Sequence, residues 1–150
     1  MENNMSITFD ADSRNESLAR IMAAAFVTEL DPTLEEINDI KTAVSEAVTN
    51  SVIHGYNEQG GKITMNCNLV VDDNQNTDST LHIEIKDSGV GIEDIEKAKE
   101  PLFTTKPELE RSGMGFMFME MFMDDIYVES EKNVGTTVYM TKIIKNNKNR

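Results

Sequence analysis

Apolar residues recur at helical spacing through the first third of the chain and at every second position through much of the rest. Ser6-Ile-Thr-Phe-Asp10 alternates and predicts a short edge strand. Leu18, Ile21, Met22, Ala25 and Phe26 then predict an amphipathic helix reaching about Leu30, opened by the capping-box pattern Ser13-Arg-Asn-Glu16. Thr33-Leu-Glu-Glu36 repeats that signal after Pro32. Leu34, Ile37, Ile40, Val44, Ala47, Val48 and Val52 form the buried stripe of a long second helix, which Gly55 should stop. Glu46 falls at the edge of this stripe.

Beyond Gly55 the period changes to two. Ile63, Met65, Cys67, Leu69 and Val71 alternate with polar residues, as do Leu81, Ile83 and Ile85. The polar stretch Asp72 to Thr80 between them predicts an antiparallel hairpin. Asp87 to Gly113 is loop-rich, with a short helix around Ile92 to Lys99. Gly115 to about Asp124 predicts a third main helix, and Ile126–Ser130 with Thr136–Ile144 a last hairpin through Asn133-Val-Gly135. With no repeat and no dividing linker, residues 1–150 are one domain. Helices gathered beside a mainly antiparallel sheet make it α+β, a two-layer sandwich.

Composition narrows the partners. A net charge of −13 argues against direct nucleic-acid binding, which needs clustered cations to neutralise phosphate. The lone Cys67 excludes an internal disulfide and a multi-cysteine metal site, which fits a reducing cytosol. The opening Met-Glu-Asn-Asn shows no basic segment before an apolar run, and no apolar stretch approaches a membrane span. A soluble cytoplasmic protein, without membrane contact, is expected.

Candidate chemistry starts with Glu46 and Asn50. Four residues apart on a helix, they lie about 40° apart around its axis. A carboxylate can take a proton and an amide oxygen can hold a hard cation; taken alone, the pair reads equally as solvated helix surface. Asp87-Ser-Gly-Val-Gly91 follows a strand, where an acid can accept from an amino group and glycines admit a ligand against the backbone; Asp-x-Gly is also ordinary turn chemistry. Ser112-Gly-Met-Gly-Phe116 opens a helix whose first amides are free for phosphate oxygens. Pro101-Leu-Phe-Thr-Thr-Lys-Pro107 offers hydroxyls and a cation in a loop that could close as a lid, and Arg111 stands ready for a phosphate or for solvent. Gly135-Thr-Thr137 opens the last strand. The run of methionines and phenylalanines from Met114 to Met123 suits core packing better than an adaptable surface. His54 has no second ligand at metal spacing.

Taken in order, Glu-x-x-x-Asn on a helix, Asp-x-Gly-x-Gly after a strand, Gly-x-Gly opening a helix and Gly-Thr before the last strand resemble the Bergerat (GHKL) ATP-binding module shared by gyrase and histidine kinases. That resemblance implies a mixed, mainly antiparallel sheet with helices on one face. Longer runs, Ser45 to Tyr56, Pro101 to Phe116, Asn15 to Arg20 and Ile126 to Tyr139, resemble the anti-sigma-F factors of endospore-forming bacteria across nearly the whole chain.

The resemblance implies an anti-sigma factor that binds and inhibits a sporulation sigma factor. It also implies a serine/threonine protein kinase that uses ATP and magnesium on a serine of an anti-anti-sigma factor, and a homodimer. Carried over by motif position, Glu46 is the general base and Asn50 the magnesium ligand. Asp87 and Thr136 take the adenine, Gly89 and Gly91 line the pocket, and Thr104, Thr105, Gly113, Met114 and Gly115 serve the lid and phosphates. Arg111 acts at the terminal phosphate; Glu16 and Arg20 meet partners. The Met/Phe-rich helix and the long turn at Asp72 to Thr80 depart from the family. Two alternatives stay open: a kinase regulating a stress-response sigma factor, and a module that uses ATP only to shape a binding surface. A histidine-kinase catalytic domain fits less well, because no helix with a phosphoacceptor histidine precedes the first strand.

Overall fold

The structure is a computed structural model in which residues 1–71, 77–100 and 115–146 are described. In chain order these form β1 (Glu2–Asp10), α1 (Asn15–Val27), α2 (Leu34–Asn50), β2 (Lys62–Val70), β3 (Ser79–Asp87), α3 (Ile95–Ala98), α4 (Gly115–Phe122), β4 (Asp125–Glu131) and β5 (Gly135–Ile144). A 3-10 turn, Thr28–Leu30, follows α1, and a π-helical turn, Ser51–Gly55, continues α2.

The strands make one sheet in the order β1-β2-β3-β5-β4. Every pairing among them is antiparallel, so the described sheet is wholly antiparallel where a mixed one was expected. β1 is an edge strand as expected, although it starts at Glu2. β5 inserts between β3 and β4, which sets the start of β5 beside the end of β3: Asp87 faces Thr136 in register.

The period-two residues bury one side of each central strand. Ile63, Met65, Leu69, Leu81, Ile83, Ile85 and Met140 are essentially solvent-free, and α2 lays Ile40, Val44, Ala47 and Val48 among the same core. α2 begins with the predicted capping box. Thr33 Oγ1 accepts from Glu36 N at 3.1 Å, and Glu36 Oε1 accepts from Thr33 N at 2.8 Å. Glu36 is buried, and its second oxygen accepts from Lys145 N at 3.0 Å.

Several expectations need correction. Leu34 is 73% exposed, because the first residue of α2 points away from the sheet and the buried stripe begins a turn later. The first helix buries Ala19, Ala23 and Val27 rather than Leu18 and Ile21, which are 38% and 61% exposed. α1 packs chiefly on α2, and small side chains at i, i+4 and i+8 let the two backbones approach closely. No capping box forms at Ser13. Asp12 accepts from Arg14 N at 2.9 Å, and Glu16 turns its carboxylate toward α2 instead. The short helix shrinks to Ile95–Ala98 and α4 ends at Phe122. α4 buries Phe116 and Met119 but leaves Met121 60% exposed, so its Met/Phe content serves the core on one side only. Residues 72–76 of the hairpin turn and the last four residues of the tail lie outside the described residues.

Candidate functional site

α2 carries the first pair where the helical repeat predicts. Glu46 and Asn50 are half-buried on the side facing the start of α4. A Cβ on Gly115 would stand 3.2 Å from Glu46 Oε2 and 3.6 Å from Asn50 Nδ2. A carboxylate, a carboxamide and a helix N-terminus thus converge. The Asn50 amide nitrogen is buried without a hydrogen-bond partner among the described residues. A buried polar atom left so costs about 1–3 kcal/mol unless a ligand answers it.

The second centre is Asp87, 5% exposed at the end of β3. Its Oδ2 accepts from Ser51 Oγ at 2.8 Å; its Oδ1 accepts from Gly89 N at 3.0 Å and Thr136 N at 3.3 Å. The Thr136 hydroxyl meets Ser130 Oγ at 2.8 Å. Three donors hold the carboxylate in one orientation, which is the condition for reading a ligand's amino group. Two glycines permit the turn that follows. A Cβ on Gly89 would lie 2.1 Å from Gly55 O, and Gly91 adopts φ +78° with Glu131 O 2.3 Å from the Cβ position.

One cavity of about 610 Å³ joins these centres. Asn50, Asp87, Gly91, Gly115 and Thr136 line it, with Ala47 and Val138 among its apolar walls. That volume lies within the roughly 300–1,000 Å³ of small-molecule sites. Gly89 does not line it, contrary to expectation; it packs behind the turn against Gly55. Thr104, Thr105, Arg111, Gly113 and Met114 lie outside the described residues. Among the described lining residues, Glu93, Asp94 and Glu100 outnumber Lys97. A polyphosphate here therefore needs a bound cation and helix-opening amides to offset like charge. Among the described residues no three His, Cys, Asp or Glu side chains cluster to cage a metal. Asn50 offers one hard oxygen, which suits Mg²⁺ held mainly by phosphates.

Glu16 and Arg20 sit apart, on α1. They form an ion pair at 2.8 Å, and Arg20 also donates to Ser45 Oγ at 3.0 Å. Glu16 accepts from Thr49 at 2.9 Å and from Ser45. These two α2 residues directly precede Asn50 and Glu46. Cys67 takes no part: burial pushes its thiol up to about 12, so it stays protonated and unreactive near neutral pH. Reading the sequence missed Ser51 and Gly55. The available signal was a small hydroxyl residue, Ser51, in an otherwise apolar stretch just after Asn50.

This sandwich, with its acid at a strand end and its acid–amide pair on the facing helix, defines a histidine-kinase-like ATPase domain. The family model for a histidine kinase-like ATPase domain matches residues 9–142. The chain is 55% identical to the anti-sigma F factor of Geobacillus kaustophilus over 99% of this chain and 97% of that one. It is 57% identical to that of Clostridium acetobutylicum over 95% and 94%. The chain belongs to the anti-sigma F factor family. A crystal structure of the RsbU and RsbW domains of a Mycobacterium tuberculosis protein superposes with a TM-score of 0.64 at 20% identity. It covers 94% of this chain, which spans 32% of that longer one, and shares the fold. Among the described residues, no helix is long and apolar enough to cross a membrane.

Proposed function

We propose that this protein binds a sporulation sigma factor and holds it inactive, and that with Mg-ATP it phosphorylates a serine of an anti-anti-sigma factor. The observation that carries the catalytic half is the convergence of Glu46 and Asn50 on Gly115 at the start of α4, where Asn50 and Gly115 line the cavity that Asp87 also lines and Glu46 stands just outside its lining. Family membership supports the sigma-binding half.

In this reading Asp87 accepts from the adenine amino group, held for it by Ser51, Gly89 N and Thr136 N. Asn50 supplies an oxygen to Mg²⁺, and the α4 amides meet phosphate. Held there, the metal would supply positive charge against the transferred group. Glu46 takes the proton from the serine hydroxyl as it attacks. Gly91 lets the ligand lie against backbone. Thr104, Thr105, Gly113 and Met114 are assigned to the lid and phosphates, Arg111 to the terminal phosphate, and Glu16 with Arg20 to partner contact. The protein acts in the cytoplasm as a homodimer.

Incubation with radiolabelled ATP, Mg²⁺ and the candidate anti-anti-sigma protein, followed by mapping of the labelled residue, tests this. Label on one serine is expected; label on histidine, or none, overturns it.

A further inference from the structure

We infer that Tyr56 is a positioning residue that sets the base-reading end of the cavity. The phenol oxygen sits where the paired strands β2 and β3 part, next to the register pair Ile63 and Asp87. It donates to Lys62 O at 2.6 Å, at the start of β2, and accepts from Ser88 N at 2.7 Å, one residue beyond Asp87. The ring is half-buried and covers Gly61, whose Cβ would lie 2.5 Å from Tyr56 Cε1. Backbone closes the other side: Tyr56 N donates to Ser51 O at 2.9 Å, and Val90 N donates to Gly55 O at 2.9 Å.

The Ser88 bond fixes the peptide joining Asp87 to Ser88. The next peptide, hinged on it at the Ser88 Cα, carries Gly89 N, one of three donors that orient the Asp87 carboxylate, so anchoring the first restrains where that donor lies. Tyr56 does not itself line the cavity; its side chain acts through Asp87. Only a phenol fits, since the position requires a donor and an acceptor on one oxygen at the end of a rigid ring. Phenylalanine keeps the packing and removes both bonds. The two backbone groups it frees lie near solvent, so fold stability suffers little.

This inference rests on the reading of Asp87 as the adenine acceptor, and the test separates the two. Calorimetric titration of the full chain with Mg-ATP and with Mg-inosine triphosphate, which carries a carbonyl in place of the adenine amine, should show wild type preferring ATP. In Tyr56→Phe the Kd for ATP should rise about tenfold, the Kd for inosine triphosphate less than about twofold, and the melting temperature hold within a few degrees. An unchanged ATP affinity, or equal losses for both nucleotides, overturns the role of Tyr56. A wild type that does not discriminate between them overturns the Asp87 reading and this inference with it. Amide exchange in the wild type gives a measure independent of how the variant folds. Ser88 N–H should be protected in the free protein, and exchange at the unprotected rate would overturn the inference.

Discussion

Ser51 and Asp87, separated by 36 positions, meet through a 2.8 Å hydrogen bond that joins the end of a helix to the end of a strand. Both are buried, so the bond is charge-assisted and shielded from water. Ser51→Ala leaves the carboxylate with two backbone donors and should lower stability by about 1–3 kcal/mol in denaturant titration. Asp87→Asn turns an acceptor-only group into one that also donates. It should weaken ATP binding at least about tenfold while the protein stays folded; unchanged affinity would remove Asp87 from base recognition.

Glu46→Gln keeps shape and removes the carboxylate proposed as the base. Phosphoryl transfer should fall by about 10²–10⁴-fold with ATP affinity nearly unchanged, measured by single-turnover labelling beside calorimetry. Undiminished transfer would sink the general-base role.

Gly115→Ala separates stability from chemistry. At the first position of α4 alanine restricts the unfolded chain without entering the helix interior, so the melting temperature should hold within a few degrees. The added methyl stands 3.2 Å from Glu46 Oε2 and should displace the carboxylate, lowering transfer. Full activity in this variant would mean that the two groups do not share working space.

The two capping patterns, alike in sequence, should respond differently. Thr33→Ala breaks a formed box and should cost about 0.5–2 kcal/mol. Ser13→Ala removes a side chain that caps nothing and should fall within about 0.5 kcal/mol of wild type. Equal costs would contradict the structure at Asp12 and Arg14.

Cys67 gives a pH prediction with a definite sign. Its folded-state pKa, about 12, lies above the ordinary 9.0 because burial disfavours the thiolate. The folded state holds the proton longer, so this contribution is complete below pH 9 and is lost as pH rises toward 12. The stability difference between wild type and Cys67→Ala should therefore shrink across that window at up to about 1.4 kcal/mol per pH unit. A difference that stays flat would show the thiol to be open to solvent.

Strand positions were legible because every second residue of β2 and β3 meets the same core, a local rule that survives packing. α2 was legible for the same reason, and with it Glu46 and Asn50. The phase of α1 was not. Its larger residues suggested one buried face, but contact with α2 is decided by how closely two backbones can approach, which favours Ala19, Ala23 and Val27. Leu34 was misjudged because periodicity cannot tell where along a helix the sheet begins. Asp87 announced itself at a strand end, whereas Ser51 and Tyr56 became visible only once β3 had folded back beside the end of α2. Their partners are fixed by topology, and no local pattern encodes them.

The π-helical turn that starts at Ser51 makes two neighbouring residues serve opposite ends of one cavity. Asn50 faces the start of α4, and Ser51, roughly 100° further around the axis, faces Asp87. A single peptide unit therefore separates the group assigned to the metal from the group that orients Asp87, the acid assigned to the base. A small rotation of this last turn would move both side chains together, so the cavity has no independent halves. Occupancy at either end should therefore restrain the other through one stretch of backbone, and a ligand spanning both should stiffen the turn more than two fragments bound separately.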